Sequence, residues 1–250
     1  MMALPGLRDA TRTIGFGAPN LPTTNSRPPL ASTMLCAGAH IRRAICQCRR
    51  SDVPYPHWGL RQVLPVDLCR AIIALPFAAP DVDDTQGKRE THNSTRVFVS
   101  EENRARYLAC EALAEAFQDE ATVALLQEMG GRSLAGSSLR IEYCQDTDGF
   151  WLEPHTDIGA KLLTMLIYLS DDPAAAQWGT DVLDAQHNLV ERASGAFNTG
   201  LIFLPASDTW HGFARRPIRG VRRSLIINYV TPAWRARHEL AFPTEPVSAA

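Results

Sequence analysis

Eight short segments rich in β-branched, aromatic and other apolar residues follow one another after residue 138, and this run constrains the fold most. The segments are 139–144, 151–157, 162–169, 180–183, 189–191, 200–204, 209–214 and 222–230, with turn residues between them. No stretch of helical length and periodicity separates them. Consecutive strands without intervening helices pair antiparallel, so the run predicts a sandwich or barrel rather than a parallel sheet.

Two regions upstream of that run have apolar residues at helical spacing. One covers residues 66–75, where Pro65 can occupy the first turn. The other begins after Ser100, a good N-cap, and carries an apolar face along 105–117. A second helical stretch follows to Met129, and Gly130-Gly131 ends it. Helices followed by a set of strands place the chain in the α+β class.

Composition divides the chain into three parts. Residues 1–52 are rich in Pro, Ser, Thr, Gly and Arg without clear periodicity, so they are predicted to be a disordered N-terminal extension. An Arg-rich, acid-poor beginning is also typical of an organelle transit peptide. Residues 53–240 are predicted to form one domain, with its β core at about 139–231, and residues 241–250 a C-terminal tail.

The charge and the cysteines limit the partners of the chain. The net charge is −2, and residues 1–50 carry seven arginines against one acid, so the remainder is acidic. An acidic body argues against nucleic-acid binding. No apolar stretch approaches the roughly 18 residues of a membrane span. The six cysteines are scattered, which indicates reduced thiols and predicts a cytoplasmic protein.

Two histidines and one aspartate form a candidate metal site. Side chains alternate along a strand, so His155 and Asp157 point to the same face and can converge on one ion. His211 lies about fifty residues later, after the strand and turn at 203–205. Together they would make a set of two imidazoles and one carboxylate, which leaves open positions on non-haem Fe(II).

The last strand carries a candidate anion-binding arginine. Alternation places Arg222 and Ser224 on one face of 222–230, and an arginine inside an apolar barrel is costly unless a carboxylate meets it. That carboxylate is expected to come from a ligand, with Ser224 donating a further hydrogen bond. On the long central strand, Thr164 is more often a packing residue than a pocket residue, and Lys161 is expected to face solvent.

The pattern His155-x-Asp157, His211, then Arg222-x-Ser224 resembles the Fe(II)/2-oxoglutarate-dependent dioxygenases, most closely the prolyl-4-hydroxylase-like branch. The similarity covers roughly residues 139–231, and the preceding helices resemble the supporting layer of that branch. The resemblance implies a double-stranded β-helix, a jelly-roll or cupin-like barrel with supporting N-terminal helices.

The resemblance also implies roles for these residues. His155, Asp157 and His211 would bind Fe(II), and Arg222 would bind the distal carboxylate of 2-oxoglutarate, with Ser224 beside it. Tyr143 lies near the position where the family often has a tyrosine that bonds to that carboxylate. With O2 as co-substrate and ascorbate as a candidate reductant, the implied reaction hydroxylates an unactivated C–H bond and releases succinate and CO2. The carboxylate of Asp157 favours hydroxylation over halogenation.

Other functions stay open at this stage. Within the family, the substrate can be a small metabolite, slightly favoured because no peptide-binding domain is evident, or a peptidyl proline. Outside it, the alternatives are a non-catalytic jelly-roll binding module and a zinc hydrolase built on the same ligands. Neither nucleic acid nor a membrane is expected as a partner, and the oligomeric state is open.

Overall fold

The computed structural model describes Met1 and residues 30–80, 85–88 and 96–248. The α-helices are α1 (Leu30–Cys46), α2 (Val66–Ile73), α3 (Glu101–Arg106), α4 (Leu108–Gln118) and α5 (Glu120–Gly130). The strands are β1 (Arg49–Ser51), β2 (His57–Arg61), β3 (Val97–Phe98), β4 (Ser138–Asp146), β5 (Leu152–His155), β6 (Lys161–Tyr168), β7 (Asp181–Leu183), β8 (Leu189–Arg192), β9 (Thr199–Phe203), β10 (His211–Phe213) and β11 (Arg222–Val230). Two short 3₁₀ helices, Pro173–Gln177 and Arg237–Glu239, complete the described elements.

The strands form two antiparallel sheets. The larger sheet has the order β1-β2-β9-β6-β11-β4-β3, and the smaller has the order β5-β10-β7-β8. Because strands from both sheets line one central cavity, the sheets face each other across it. This arrangement confirms the predicted α+β class with a jelly-roll barrel.

All eight strands predicted after residue 138 are present, with boundaries within two residues of the prediction. Alternation on β11 is also as predicted. Leu225, Ile227 and Tyr229 are buried in the core under the helices, while Arg222 and Ser224 line the cavity. The sequence analysis missed β1 and β2, which extend the larger sheet beyond β9.

The helices cover the outer face of the larger sheet. One continuous core joins buried residues of α1, α2, α4 and α5 to the outward-facing side chains of β4, β6 and β11. Two smaller clusters lie on the other side of that sheet, between it and the smaller sheet. The helical layer therefore supports the strands from outside and leaves the inside of the barrel for the site.

The prediction that residues 1–52 lie outside the fold is wrong for its second half. Helix α1 packs against α4 and α5, and Ala37, Ile41, Ala44 and Ile45 are all buried in the main core. These four residues recur at helical spacing, a short apolar stripe that the surrounding arginines obscure. Residues 2–29 lie outside the described part of the chain.

The predicted C-terminal tail at 241–250 also belongs to the domain over most of its length. Ala241, Phe242 and Val247 are buried in the main core. The backbone of Val247 bonds to Gly136 and Ser137 at 2.9 and 2.8 Å, so this segment is fastened beside the start of β4. Burial of three apolar side chains explains why a short, Pro-containing segment is held in place.

The helix predicted from Ser100 onward is interrupted. The Ser100 side chain accepts a hydrogen bond from the backbone nitrogen of Asn103 at 3.4 Å, as expected of an N-cap. At Tyr107 the backbone is extended (φ −127°, ψ 114°), which separates α3 from α4. Among the described residues, no helix has the length and apolar character that crossing a bilayer requires.

Candidate metal centre

Neighbouring strands of the smaller sheet bring the two histidines together. His155 ends β5 and His211 begins β10, and the two residues are directly opposite in the antiparallel pairing. Their ring centroids are 4.3 Å apart. Asp157 follows β5 by two residues, and one potential ligand atom from each of the three side chains lies within 4.8 Å of the other two. The structure thus gathers the three residues that the sequence analysis selected.

Backbone carbonyl groups orient both imidazoles. The Nδ1 atom of His155 lies 2.9 Å from the carbonyl oxygen of Glu153, and Nδ1 of His211 lies 3.0 Å from that of Thr209. A carbonyl can only accept, so each Nδ1 carries the proton and each Nε2 keeps a free lone pair. Fixing the tautomer by the second nitrogen is the usual arrangement around metal-binding histidines.

The charge states of the three residues suit a divalent cation. Burial alone would raise the pKa of Asp157, but Lys161, His211 and hydrogen bonds from Lys161 and Thr164 lower it to about 2. Burial, with His155 nearby, lowers the pKa of His211 to about 4. At neutral pH the site therefore offers an ionised carboxylate and at least one neutral imidazole, which are the ligand forms a metal requires.

Two side chains that the sequence analysis assigned to other roles hold this carboxylate. Lys161 was expected to face solvent, but its Nζ donates to Oδ1 of Asp157 at 2.5 Å. Thr164 donates from Oγ1 to Oδ2 at 2.6 Å. Both residues lie on β6, at its first and fourth positions, and line the cavity. No local pattern marks them, because their contact with Asp157 depends on the path of the connection at 156–160, which joins β5 in one sheet to β6 in the other.

A buried polar network continues from this carboxylate across the larger sheet. Asn228 donates from Nδ2 to Thr164 at 2.9 Å, and its Oδ1 accepts from Arg140 at 3.2 Å. Arg140 in turn contacts Glu142 at 3.1 Å. Since β4, β6 and β11 each contribute to the chain of contacts, the position of Asp157 is tied to the rigid centre of the sheet.

The central cavity has a volume of about 360 Å³ and holds a second group of polar residues. Arg222 and Ser224 face it from the start of β11, with Thr180 nearby. The Oγ atom of Ser224 is buried and has no hydrogen-bond partner among the described residues. A buried hydroxyl without a partner is costly, so this atom is fitted to receive a bond from a ligand or water.

The carboxylate partner of Arg222 in the structure is a residue of the chain itself. Arg222 lies directly across from Asp146 in the β4–β11 pairing, and its Nη1 donates to Oδ2 of Asp146. Its Nε donates to the carbonyl oxygen of Trp178 at 2.6 Å. The expectation that a ligand would supply this first carboxylate is therefore corrected. The predicted strand at 139–144 ended two residues too early and left Asp146 in a loop.

Tyr143 lies on the opposite face of β4. It is opposite Leu225 in the strand pairing, belongs to the core under the helices, and contacts a small apolar space beside Val97 and Leu113. It is not among the residues that line the central cavity. Alternation along β4 explains the difference, because Glu142 and Asp146 point inward and residue 143 must point outward.

The donor set fits Fe(II). Two imidazoles and one carboxylate on one side of a cavity leave room for further ligands, as in non-haem iron sites. At the other end, Arg222 and Ser224 can bond to an oxygen of a second molecule, although Asp146 already balances the arginine charge.

Comparisons with known proteins find likenesses among solved structures. No family model matches the sequence, and no curated protein does. A prolyl 4-hydroxylase structure from Phytophthora capsici has a TM-score of 0.52 at 11% identity, covering 80% of this chain and 65% of the other. A prolyl-4-hydroxylase from Pseudomonas putida has a TM-score of 0.47 at 15% identity, with 79% and 95% covered. A Trichoplax adhaerens prolyl hydroxylase in complex with a hypoxia inducible factor peptide fragment has a TM-score of 0.49 at 13% identity, with 82% and 94% covered.

These likenesses concern the backbone. The TM-score of 0.52 with the Phytophthora structure supports the expected fold. At 11% identity, activity has to be argued from the residues of the site.

Proposed function

We propose that the protein is an Fe(II)-dependent dioxygenase that uses a 2-oxo acid and O2 to hydroxylate an unactivated C–H bond. The resemblance implies 2-oxoglutarate as the 2-oxo acid. The observation that carries the proposal is the convergence of His155, Asp157 and His211 within 4.8 Å at the wall of the central cavity.

His155, Asp157 and His211 would hold the iron. When bound, Fe(II) with 2-oxoglutarate and O2 supplies the oxidising chemistry, in which one oxygen atom enters the substrate as hydroxyl and the other enters succinate as CO2 leaves. The carbonyl groups of Glu153 and Thr209 keep each Nε2 directed to the metal position. These contacts reduce the cost of assembling the ligands when the ion arrives.

The walls of the cavity would orient the organic ligands and exclude water. Arg222 and Ser224 are placed to bond to the far end of the oxo acid, because both line the cavity and Ser224 has an unused hydroxyl. Leu166, Phe213 and Ile226 add apolar surface to the same walls. Keeping bulk water away matters in this chemistry, since a reactive oxidant must meet the substrate rather than solvent.

The size of the cavity supports a small molecule as the substrate. Its volume of about 360 Å³ is near the lower end of small-molecule sites, which span roughly 300–1,000 Å³. The oxo acid would share this space with the group to be hydroxylated. A compact metabolite therefore fits the proposal better than a folded or extended protein segment.

The test is metal-dependent turnover at millimolar 2-oxoglutarate. Anaerobically prepared protein with Fe(II) is expected to release succinate on exposure to O2, and His155→Ala or Asp157→Ala should abolish this release. The same variants should lose binding of Mn(II), measured by electron paramagnetic resonance. His238→Ala, which alters an exposed histidine far along the chain from the ligand positions, is the matched control and should behave as the parent protein.

Two results would contradict the proposal. Succinate release that is unchanged in His155→Ala and Asp157→Ala would place the chemistry elsewhere. Tight Mn(II) or Zn(II) binding without any 2-oxoglutarate turnover would favour the binding-module or zinc-hydrolase alternatives.

A further inference from the structure

A chain of three hydrogen bonds runs from a buried arginine to the carboxylate of the candidate metal centre. Arg140 donates from Nη1 to Oδ1 of Asn228 at 3.2 Å, and Asn228 donates from Nδ2 to Oγ1 of Thr164 at 2.9 Å. Thr164 in turn donates to Oδ2 of Asp157 at 2.6 Å. The first three residues of this chain are no more than 3% exposed, so bulk water does not compete for their bonds.

The chemistry of the groups sets the direction of this chain. A guanidinium can only donate, so the amide of Asn228 presents its oxygen to Arg140 and its NH2 group to Thr164. The Thr164 hydroxyl accepts that bond and has a single proton to give, which goes to the carboxylate of Asp157. An ionised carboxylate can only accept a bond. Both ends of the chain therefore favour the same direction, and reversing the amide would bring its NH2 group against the guanidinium.

Two carboxylates hold the guanidinium at the start of the chain. Glu239 accepts from Nε of Arg140 at 2.6 Å, and Glu142 accepts from Nη2 at 3.1 Å. A buried cation with two anionic partners has little freedom to rotate or to leave. Arg140 is thus a fixed donor, and it keeps the amide of Asn228 in one orientation.

The last bond of the chain occupies one oxygen of Asp157. Thr164 engages Oδ2, whereas the partner of Oδ1 is the ammonium group of Lys161. The hydroxyl is tied into a buried network, while an ammonium group on a flexible four-carbon stem can give way to a cation. An arriving ion would therefore bind this carboxylate through one oxygen rather than two, which leaves a further position on the ion for another ligand.

We propose that Thr164 is a positioning residue that holds Oδ2 of Asp157 and makes this carboxylate a ligand through a single oxygen. Asn228 is a second positioning residue, because it fixes the direction of the Thr164 hydroxyl. The inference rests on the proposed function and deepens it by adding two residues on which the geometry of the metal centre depends. Both act through Asp157, so neither has to contact the ion.

The experiment measures Mn(II) binding by isothermal titration calorimetry and by electron paramagnetic resonance, whose spectrum reports the symmetry of the ligands around the ion. Thr164→Val keeps the shape of the side chain but removes the hydroxyl. It should weaken Mn(II) binding about 10- to 100-fold and change the spectrum. Thr164→Ser keeps a hydroxyl and should restore both. Thr122→Val is the matched control, because Thr122 is also buried and donates to an aspartate, Asp119, at 3.0 Å on helix α5. The control should retain the parental affinity and spectrum even where it lowers Tm.

A double substitution tests the role of Asn228. Asn228→Leu removes the amide that directs the hydroxyl and should weaken Mn(II) binding about fivefold, which corresponds to one ordinary hydrogen bond. In a Thr164→Val background the same change should have no further effect, since the group through which Asn228 acts is gone. A role confined to stabilising the fold would instead weaken binding equally in both backgrounds.

Three results would overturn the inference while Mn(II) binding by the parent protein persists. The first is parental affinity and spectrum in Thr164→Val, or in Thr164→Ala, which supplies the same comparison where the valine variant fails to fold. The second is a Thr164→Ser variant that binds as weakly as Thr164→Val. The third is an equal effect of Asn228→Leu in both backgrounds, which removes the part assigned to Asn228. A parent protein that does not bind Mn(II) would reject the proposed function itself, and the inference with it.

Discussion

Replacing Ile41 by alanine tests whether helix α1 is an integral part of the domain. The Ile41 side chain is completely buried in the core shared with α4 and α5. The substitution removes three carbon atoms, worth about 2.4 kcal/mol of transfer free energy at roughly 0.8 kcal/mol each. The cavity left behind adds to this loss, and such changes typically cost about 2–5 kcal/mol. We therefore expect the free energy of unfolding to fall by about 3 kcal/mol.

Thermal unfolding followed by circular dichroism measures the effect. In a chain of this size 1 kcal/mol lowers Tm by about 2–4 °C, so the expected decrease is about 6–12 °C. Arg43→Ala, at an exposed position of the same helix, is the matched control and should change Tm little. Equal Tm values for the two variants would refute the packing of α1 described above.

The same reasoning predicts that a chain beginning at residue 53 does not fold stably, because it lacks both α1 and β1.

Two further predictions concern the site and the turn beside it. Lys161→Met removes the ammonium group that lies 2.5 Å from Asp157 and would compete with a metal ion for that carboxylate. The affinity for Mn(II), measured by calorimetry, should therefore rise about tenfold. An unchanged affinity would contradict this competition. Gly179→Ala should abolish soluble expression, because its Cβ would lie 1.7 Å from the carbonyl oxygen of Ala193, whereas Gly59→Ala has open space and should fold normally. Normal Tm in Gly179→Ala would show that the turn is placed differently.

The strands after residue 138 were predictable because their signal is local. Alternation on 222–230 correctly placed Ser224 and Leu225 on opposite faces of the strand, since Ser224 lines the cavity and Leu225 lies in the core under the helices. The N-terminal helix was missed for a different reason. Its buried face consists of four small or branched residues among arginines, and only the presence of α4 and α5 makes that face a core.

The candidate metal ligands were predictable from spacing, whereas their partners were not. His155 and Asp157 share a face through a rule that acts over two residues. Lys161, Thr164 and Asp146 reach the site from other strands. An ordinary lysine, threonine or aspartate has no distinguishing neighbourhood along the chain, so its role becomes visible only when the strands are paired.

The amino-acid sequence by itself determined the fold class, the succession of strands and the three residue types that can bind a metal. These depend on periodicity and spacing, which act between residues near one another in the chain. The tertiary structure alone decided that Arg222 meets Asp146 and that residue 143 points away from the cavity. Such pairings depend on strand register and on which face is buried, and both are settled by the packing of the whole domain.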